Sequence, residues 1–120
     1  QLTRKNRLTV TIDSYHAHVY YDEARKRAAE ELRSQILQRF VVEMGRWREE
    51  PVGPHPQAMY QVAFQPELFA TIVPWLLINR KDLDILVHPN TGASIKDHTS
   101  HALWLGNKLS LRLGELETEN

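Results

Sequence analysis

Six histidines are spread over 120 residues, and four of them stand beside turn or strand signals. Imidazole titrates near neutral pH and is the commonest metal ligand, so metal binding and proton transfer are the chemistries to consider first. His16 and His18 flank a single residue in Tyr15-His16-Ala17-His18-Val19-Tyr20-Tyr21. On a strand, a period of two places both rings on one face, where they can share one ion. Imidazole suits iron, zinc, copper or nickel. An isolated His-x-His is as often a half-exposed polar strand face, so the remaining histidines carry weight. His55 stands in the run Pro51-Val52-Gly53-Pro54-His55-Pro56, and His88 directly precedes Pro89. His98 follows Asp97, and a carboxylate often orients a histidine; Asp97 alone reads more readily as a turn or helix cap. His101 reads as a surface residue. Tyr20, Tyr60 and Trp104 are candidates to line an aromatic pocket, although aromatic residues at strand spacing more often pack a core or an interface. Trp47 and Trp75 are assigned to packing.

These residues need elements to position them. Residues 8–21 are rich in β-branched and aromatic types and predict a first strand. On it Ala17, Val19 and Tyr21 point one way, and His16, His18 and Tyr20 the other. Asp22 suits an N-cap and Glu23 the positive end of a helix dipole. Ala24, Ala28, Leu32, Ile36 and Phe40 then follow at four-residue steps, which predicts an amphipathic helix. Residues 41–48 read as a second strand. The prolines at 51, 54 and 56 make a stiff loop, because each removes a donor and restricts its neighbour. Residues 58–64 read as a third strand, with Tyr60, Val62 and Phe64 on one side.

Pro66 suits the first turn of a second helix, whose stripe is Leu68, Phe69, Ile72, Val73, Leu76 and Leu77. Pro74 lies inside it and predicts a kink. Residues 83–88 form a fourth strand that Pro89 should end. Asn90, Thr91 and Gly92 are turn residues. Leu109, Leu111 and Leu113 alternate with polar residues and suggest one more strand. The acidic C-terminal residues read as a frayed end.

The order β-α-β-β-α-β is the ferredoxin-like plan, an α+β class with an antiparallel sheet, two helices on one face and here a C-terminal extra strand. The other face is left for a ligand or a second subunit. In this plan the first and third strands are central and the fourth flanks the first, so the regions of His16, His18, His55 and His88 converge on that open face. Residues 1–120 are expected to be one domain.

Composition excludes several classes. Fifteen basic and fifteen acidic residues cancel, whereas nucleic-acid binders usually show a basic excess. The cluster Arg4, Lys5 and Arg7 reads as a solvated end. The chain has no cysteine, so it has no disulfide scaffold, thiolate metal site or cysteine nucleophile. No apolar run approaches the roughly 18 residues of a membrane span, and the expected location is the cytoplasm. There is no glycine-rich phosphate loop, and neither Ser14 nor Ser94 has a nucleophile-elbow context. Glu30–Glu31 and Glu49–Glu50 read as solvated faces.

The motifs resemble those of the DOPA 4,5-dioxygenase family. The matching blocks are Tyr15-His16-Ala17-His18-Val19-Tyr20-Tyr21-Asp22, then Pro51-Val52-Gly53-Pro54-His55-Pro56 continued by Tyr60-Gln61-Val62-Ala63-Phe64. Leu83-Asp84-Ile85-Leu86-Val87-His88-Pro89-Asn90-Thr91-Gly92 is the third, and Asp97-His98 with Trp104-Leu105-Gly106 the fourth. They run in order over residues 13–107, and together they are specific. The resemblance implies a ferredoxin-like domain, a homodimer, and extradiol cleavage of a catechol by O2 at iron(II). The functional residues it implies are His16, His18, His55, His88 and His98.

Extradiol cleavage requires a metal with open positions, and three protein ligands leave that room. The common non-haem iron site uses two histidines and a carboxylate, but these motifs offer histidines in excess and Asp97 is their only obvious ligand carboxylate, which leaves room for an all-histidine site. His16, His18 and His88 are taken as ligands of iron(II), with zinc or nickel able to substitute in a crystal. His55 is taken as the acid–base group, able to exchange places with either strand histidine. His98 is a further catalytic candidate, Asp97 a group that orients it, and Tyr20, Tyr60 and Trp104 substrate contacts. The rival reading is a non-catalytic dimeric module that binds a metal or a small aromatic ligand on the same fold.

Overall fold

The structure is a computed structural model that describes residues 10–116. The basic cluster at residues 4–7, the first two residues of the expected first strand and the acidic tail beyond 116 lie outside the described residues. Five strands form one antiparallel sheet: β1 (Ser14–Tyr20), β2 (Glu43–Met44), β3 (Met59–Phe64), β4 (Asp84–Asn90) and β5 (Leu103–Leu105). Their order is β2-β3-β1-β4-β5. Helices α1 (Lys26–Arg39) and α2 (Phe69–Asn79) cover one face, and a short α3 (Ser94–His98) follows β4. This is the expected ferredoxin-like α+β fold. Among the described residues no helix is long and apolar enough to cross a membrane.

Strand parity builds the two faces. Ala17, Val19 and Tyr21 join Tyr60, Val62 and Phe64 of β3 and Ile85 and Val87 of β4 in the helix-side core. Ala29, Leu32 and Ile36 of α1 and Ile72, Val73 and Leu76 of α2 complete it. Burying each of the Val, Leu and Ile side chains is worth about 1.5–3 kcal/mol. Asp22 caps the first helical turn as expected, its Oδ1 accepting from the Arg25 amide at 2.9 Å. That turn is 3-10 in form, which leaves Ala24 exposed and brings Ala29 into the stripe. Pro74 is held within α2 on its exposed side.

Four expectations about elements are corrected. The first strand begins at Ser14, because β4 ends opposite it at Asn90 and β3 opposite Tyr15. The second strand shrinks to two residues. Met44 faces Val62 but Arg48 faces Met59, so one extra residue lies on the edge strand and breaks the ladder as a bulge. Pro89 does not end β4. It pairs with Tyr15 beyond the reach of β5, and proline is tolerated where a strand has a partner on one side only. Leu109, Leu111 and Leu113 form no strand; the extra strand is β5, six residues earlier. Leu109 and Leu111 instead pack with Trp104 against Tyr20, Met59 and Leu86 on the open face.

Gly106 turns the chain onto that face. Its φ is +88°, and a Cβ there would approach Asp84 Oδ1 to 2.6 Å, the same atom that accepts from the Asn107 amide at 2.7 Å. Further on, the Arg112 amide donates to the Pro54 carbonyl at 2.8 Å. The C-terminal segment is thereby tied to the proline loop that carries His55.

Candidate metal centre

Five imidazoles gather on the face away from α1 and α2. β1 supplies His16 and His18 two residues apart. β4 supplies His88, which lies directly opposite His16 in the ladder. The proline loop supplies His55: Gly53, at φ +55°, lets the chain turn so that the His55 amide donates to the Val52 carbonyl at 3.1 Å. The short α3 supplies His98. Ring centroids are 5.1 Å apart for His16–His88 and for His18–His88, 4.1 Å for His18–His55 and 4.1 Å for His88–His98.

Two overlapping groups have ligand nitrogens all within 4.8 Å of one another: His16, His18 and His88, and His18, His55 and His98. His18 belongs to both. The sharpest contact is His18 Nε2 to His88 Nε2, at 3.0 Å. His88 Nδ1 donates to the Pro89 carbonyl at 2.8 Å, which leaves the His88 Nε2 lone pair facing His18. His98 is fixed in the same sense, Nδ1 donating to the Ser94 carbonyl at 2.8 Å. A hydrogen bond at one ring nitrogen that prepares the other for a ligand is the usual support of a metal-binding histidine. His18 Nδ1 is buried without a hydrogen-bond partner. Burying a bare polar atom is costly, and such an atom beside four other imidazoles fits a site that holds a cation.

The electrostatics agree. Burial holds His18 well below the ordinary histidine value, with help from His55 and His88. Burial likewise lowers His16, brings His55 down to about 4 and His88 to about 3. All four are neutral at pH 7, the form that donates a lone pair to a metal or accepts a proton.

Tyr20 and His55 share a 2.7 Å hydrogen bond between Oη and Nδ1, which orients the ring so that Nε2 is its free nitrogen. Burial pushes the Tyr20 hydroxyl far above its ordinary value, so it stays protonated. Tyr20 also stacks on Trp104, with centroids 5.9 Å apart and planes 20° from parallel. A cavity of about 410 Å³ opens beside the cluster, lined by His98, Trp104, Lys108, Leu109, Leu111 and Leu113 among others.

Two expected site residues stand elsewhere. Tyr60 is on the opposite face: it is fully buried in the helix-side core, and its hydroxyl donates to the Ala29 carbonyl at 2.8 Å. Its parity with Val62 and Phe64 dictates this. Asp97 does not hold His98. Its carboxylate accepts from the Thr91 amide and hydroxyl at 2.8 and 2.7 Å, and pairs with His101 Nδ1 at 3.2 Å. Burial alone would raise the Asp97 carboxyl, but these bonds together hold it below its ordinary value. His101 is exposed, as the sequence suggests, and is also the partner of a buried carboxylate. The i, i+4 spacing of Asp97 and His101 was the signal. Lys108 carried no signal in its own sequence context.

The fold and site define an α+β protein with a histidine-rich centre on the open face of a ferredoxin-like sheet. The chain belongs to the Dopa 4,5-dioxygenase family, whose model matches residues 15–115. It is similar to a DOPA 4,5-dioxygenase of Amanita muscaria, at 36% identity over 88% of this chain and 50% of that protein. An uncharacterized 21.2 kDa protein of Botryotinia fuckeliana is 41% identical over 83% of this chain and 61% of its own. The chain therefore spans between half and two-thirds of the length of these two relatives. A Nostoc punctiforme protein provisionally described as a dioxygenase, solved by crystallography, superposes with a TM-score of 0.86 at 50% identity, covering 87% of this chain and 90% of that one.

Proposed function

We propose that this protein is an extradiol dioxygenase that opens a catechol ring with O2 at a histidine-held iron(II). The observation that carries the reading is the convergence of five imidazoles in two overlapping groups that share His18, beside a cavity walled by Trp104. His16, His18 and His88 are the ligands in this reading. They stand on two paired central strands, the most rigid placement available, whereas His55 and His98 stand on a loop and a short helix. An all-imidazole donor set suits a divalent first-row metal. Bound iron(II) would supply the redox chemistry that lets O2 react with a catechol, and three protein ligands leave coordination positions for the substrate.

His55 accepts a proton from a catechol hydroxyl at Nε2 in the tautomer whose Nδ1–H donates to Tyr20 Oη. It returns that proton to the opened product. His98, with Nδ1 committed to Ser94 and its residue lining the cavity, serves the second hydroxyl. Trp104 offers a face for the aromatic ring, and Leu109 and Leu111 exclude water. The protein acts as a homodimer in this reading, which sedimentation would test. The functional test is to load the protein with iron under anaerobic conditions, add L-DOPA, and admit air. A yellow ring-opened product that requires iron supports the reading; bound iron with no opening of L-DOPA or of any other catechol overturns it.

A further inference from the structure

We infer that Lys108 is a specificity-determining residue of this site, selecting catechols that carry a carboxylate and no amine. The inference rests on the ring-opening reading above and adds the substrate class. The cavity beside the cluster is bounded by His98 at one side and by Trp104, Leu109, Leu111 and Leu113 as apolar walls. Its remaining lining residues are Thr99, Ser110 and Lys108. Lys108 is the one permanently charged group among the described residues that line it. Two neutral hydroxyls, one ammonium and a stack of apolar side chains define a complementary ligand: an aromatic ring whose substituent ends in an anion.

The position of Lys108 is built. It follows the Gly106 turn, which is anchored by the Asn107 amide on Asp84, and it precedes Leu109, which is packed against the Trp104 cluster. Lys108 thus lines the cavity from an anchored stretch of backbone, with its exposed side chain within reach of a ligand held there. His98 lines the same cavity and belongs to the histidine cluster, so a ring with its hydroxyls toward the histidines presents its far substituent to the rest of the cavity wall. A carboxylate there meets Lys108. An ammonium on the same substituent meets no carboxylate, because none lines the cavity among the described residues, and its desolvation goes uncompensated. Dihydroxyphenyl-acetate and -propanoate types therefore fit better than an amino acid such as L-DOPA or an amine.

The test is binding, measured by anaerobic titration calorimetry on the iron-loaded full chain. The ligands are 3-(3,4-dihydroxyphenyl)propanoate, L-DOPA, dopamine and 4-methylcatechol. The acid should bind about tenfold more tightly than 4-methylcatechol, the size expected of one charge-assisted contact. L-DOPA and dopamine should bind more weakly than the acid. Lys108→Gln should erase the preference, and Lys108→Glu should turn it toward dopamine, with thermal melts confirming that both variants fold. A preference that survives Lys108→Gln, or L-DOPA binding as tightly as the acid, overturns the inference. Ring opening of 4-methylcatechol reports separately on the parent reading. If no catechol is opened while Lys108 still governs binding, the ring-opening reading falls and the role of Lys108 stands.

Discussion

His18 Nε2 and His88 Nε2 face each other at 3.0 Å across the β1–β4 ladder. Two ligand atoms that each sit about 2.1 Å from one ion, at a right angle, are separated by about this distance. The Pro89 carbonyl already occupies Nδ1 of His88, so its lone pair is set without any rearrangement of the backbone. Strand register thus brings these two nitrogens together, and His16, opposite His88, would be the third ligand of the proposed site.

Removing one member of this pair should remove the metal. His88→Ala is expected to lower iron affinity by more than roughly 100-fold, the upper range for residues that merely orient a ligand. His101→Ala, which touches Asp97 rather than the cluster, should keep its metal. Metal-to-protein ratios after dialysis decide the matter. Full metal retention in His88→Ala would strike it from the ligand set.

Tyr20→Phe deletes one hydroxyl and leaves the stack on Trp104. Its effect should be on proton transfer: His55 loses its orienting bond, and turnover should fall by about 10- to 100-fold, a fraction of what general acid–base catalysis provides. Iron content should hold. A pH–rate profile identical to that of the parent protein would show that Tyr20 does not act through His55.

Buried neutral histidines predict an acid-labile metal-free protein. For His18, His55 and His88 the folded value lies below the ordinary 6.5, so below pH 6.5 the unfolded chain binds protons that the folded one refuses. Stability from this source is fully present above about pH 6.5 and is lost as the pH falls through about 4, where His55 titrates, toward about 3, where His88 does. The melting temperature of the metal-free protein should fall across that window. A flat profile between pH 6.5 and 4 would contradict the burial.

Tyr60→Phe separates the two faces. It breaks the bond to the Ala29 carbonyl and should cost about 1 kcal/mol of stability, read by denaturant unfolding. Metal affinity should be unchanged, since Tyr60 lies beneath the sheet. Loss of iron from this variant would place Tyr60 in the site after all.

Much of this centre is legible in the sequence because strand parity is a strict rule. The Ala17, Val19, Tyr21 alternation sends His16, His18 and Tyr20 to the other face, and the ferredoxin-like order brings His88 and His55 beside them. The same parity, applied to β3, already places Tyr60 with Val62 and Phe64, away from the histidines. The errors share a physical origin in tertiary context. A bulge in an edge strand, a proline allowed where a neighbouring strand has ended, and leucines that alternate yet pack as a coil depend on partners distant in sequence. Asp97 adjoins His98 in sequence, but one helical turn brings it to His101 instead. Lys108 is indistinct among surface lysines until the Gly106 turn lays its segment along the cavity.

The central claim is that both atoms of O2 enter an opened catechol ring under the control of this histidine cluster. Iron-loaded protein should be given 4-methylcatechol under 18O2 and the product weighed. The account predicts a yellow ring-opened product carrying two labelled oxygens, formed by the parent protein and absent with His88→Ala. A product with one labelled oxygen or none, or ring opening that persists undiminished in His88→Ala, would contradict it.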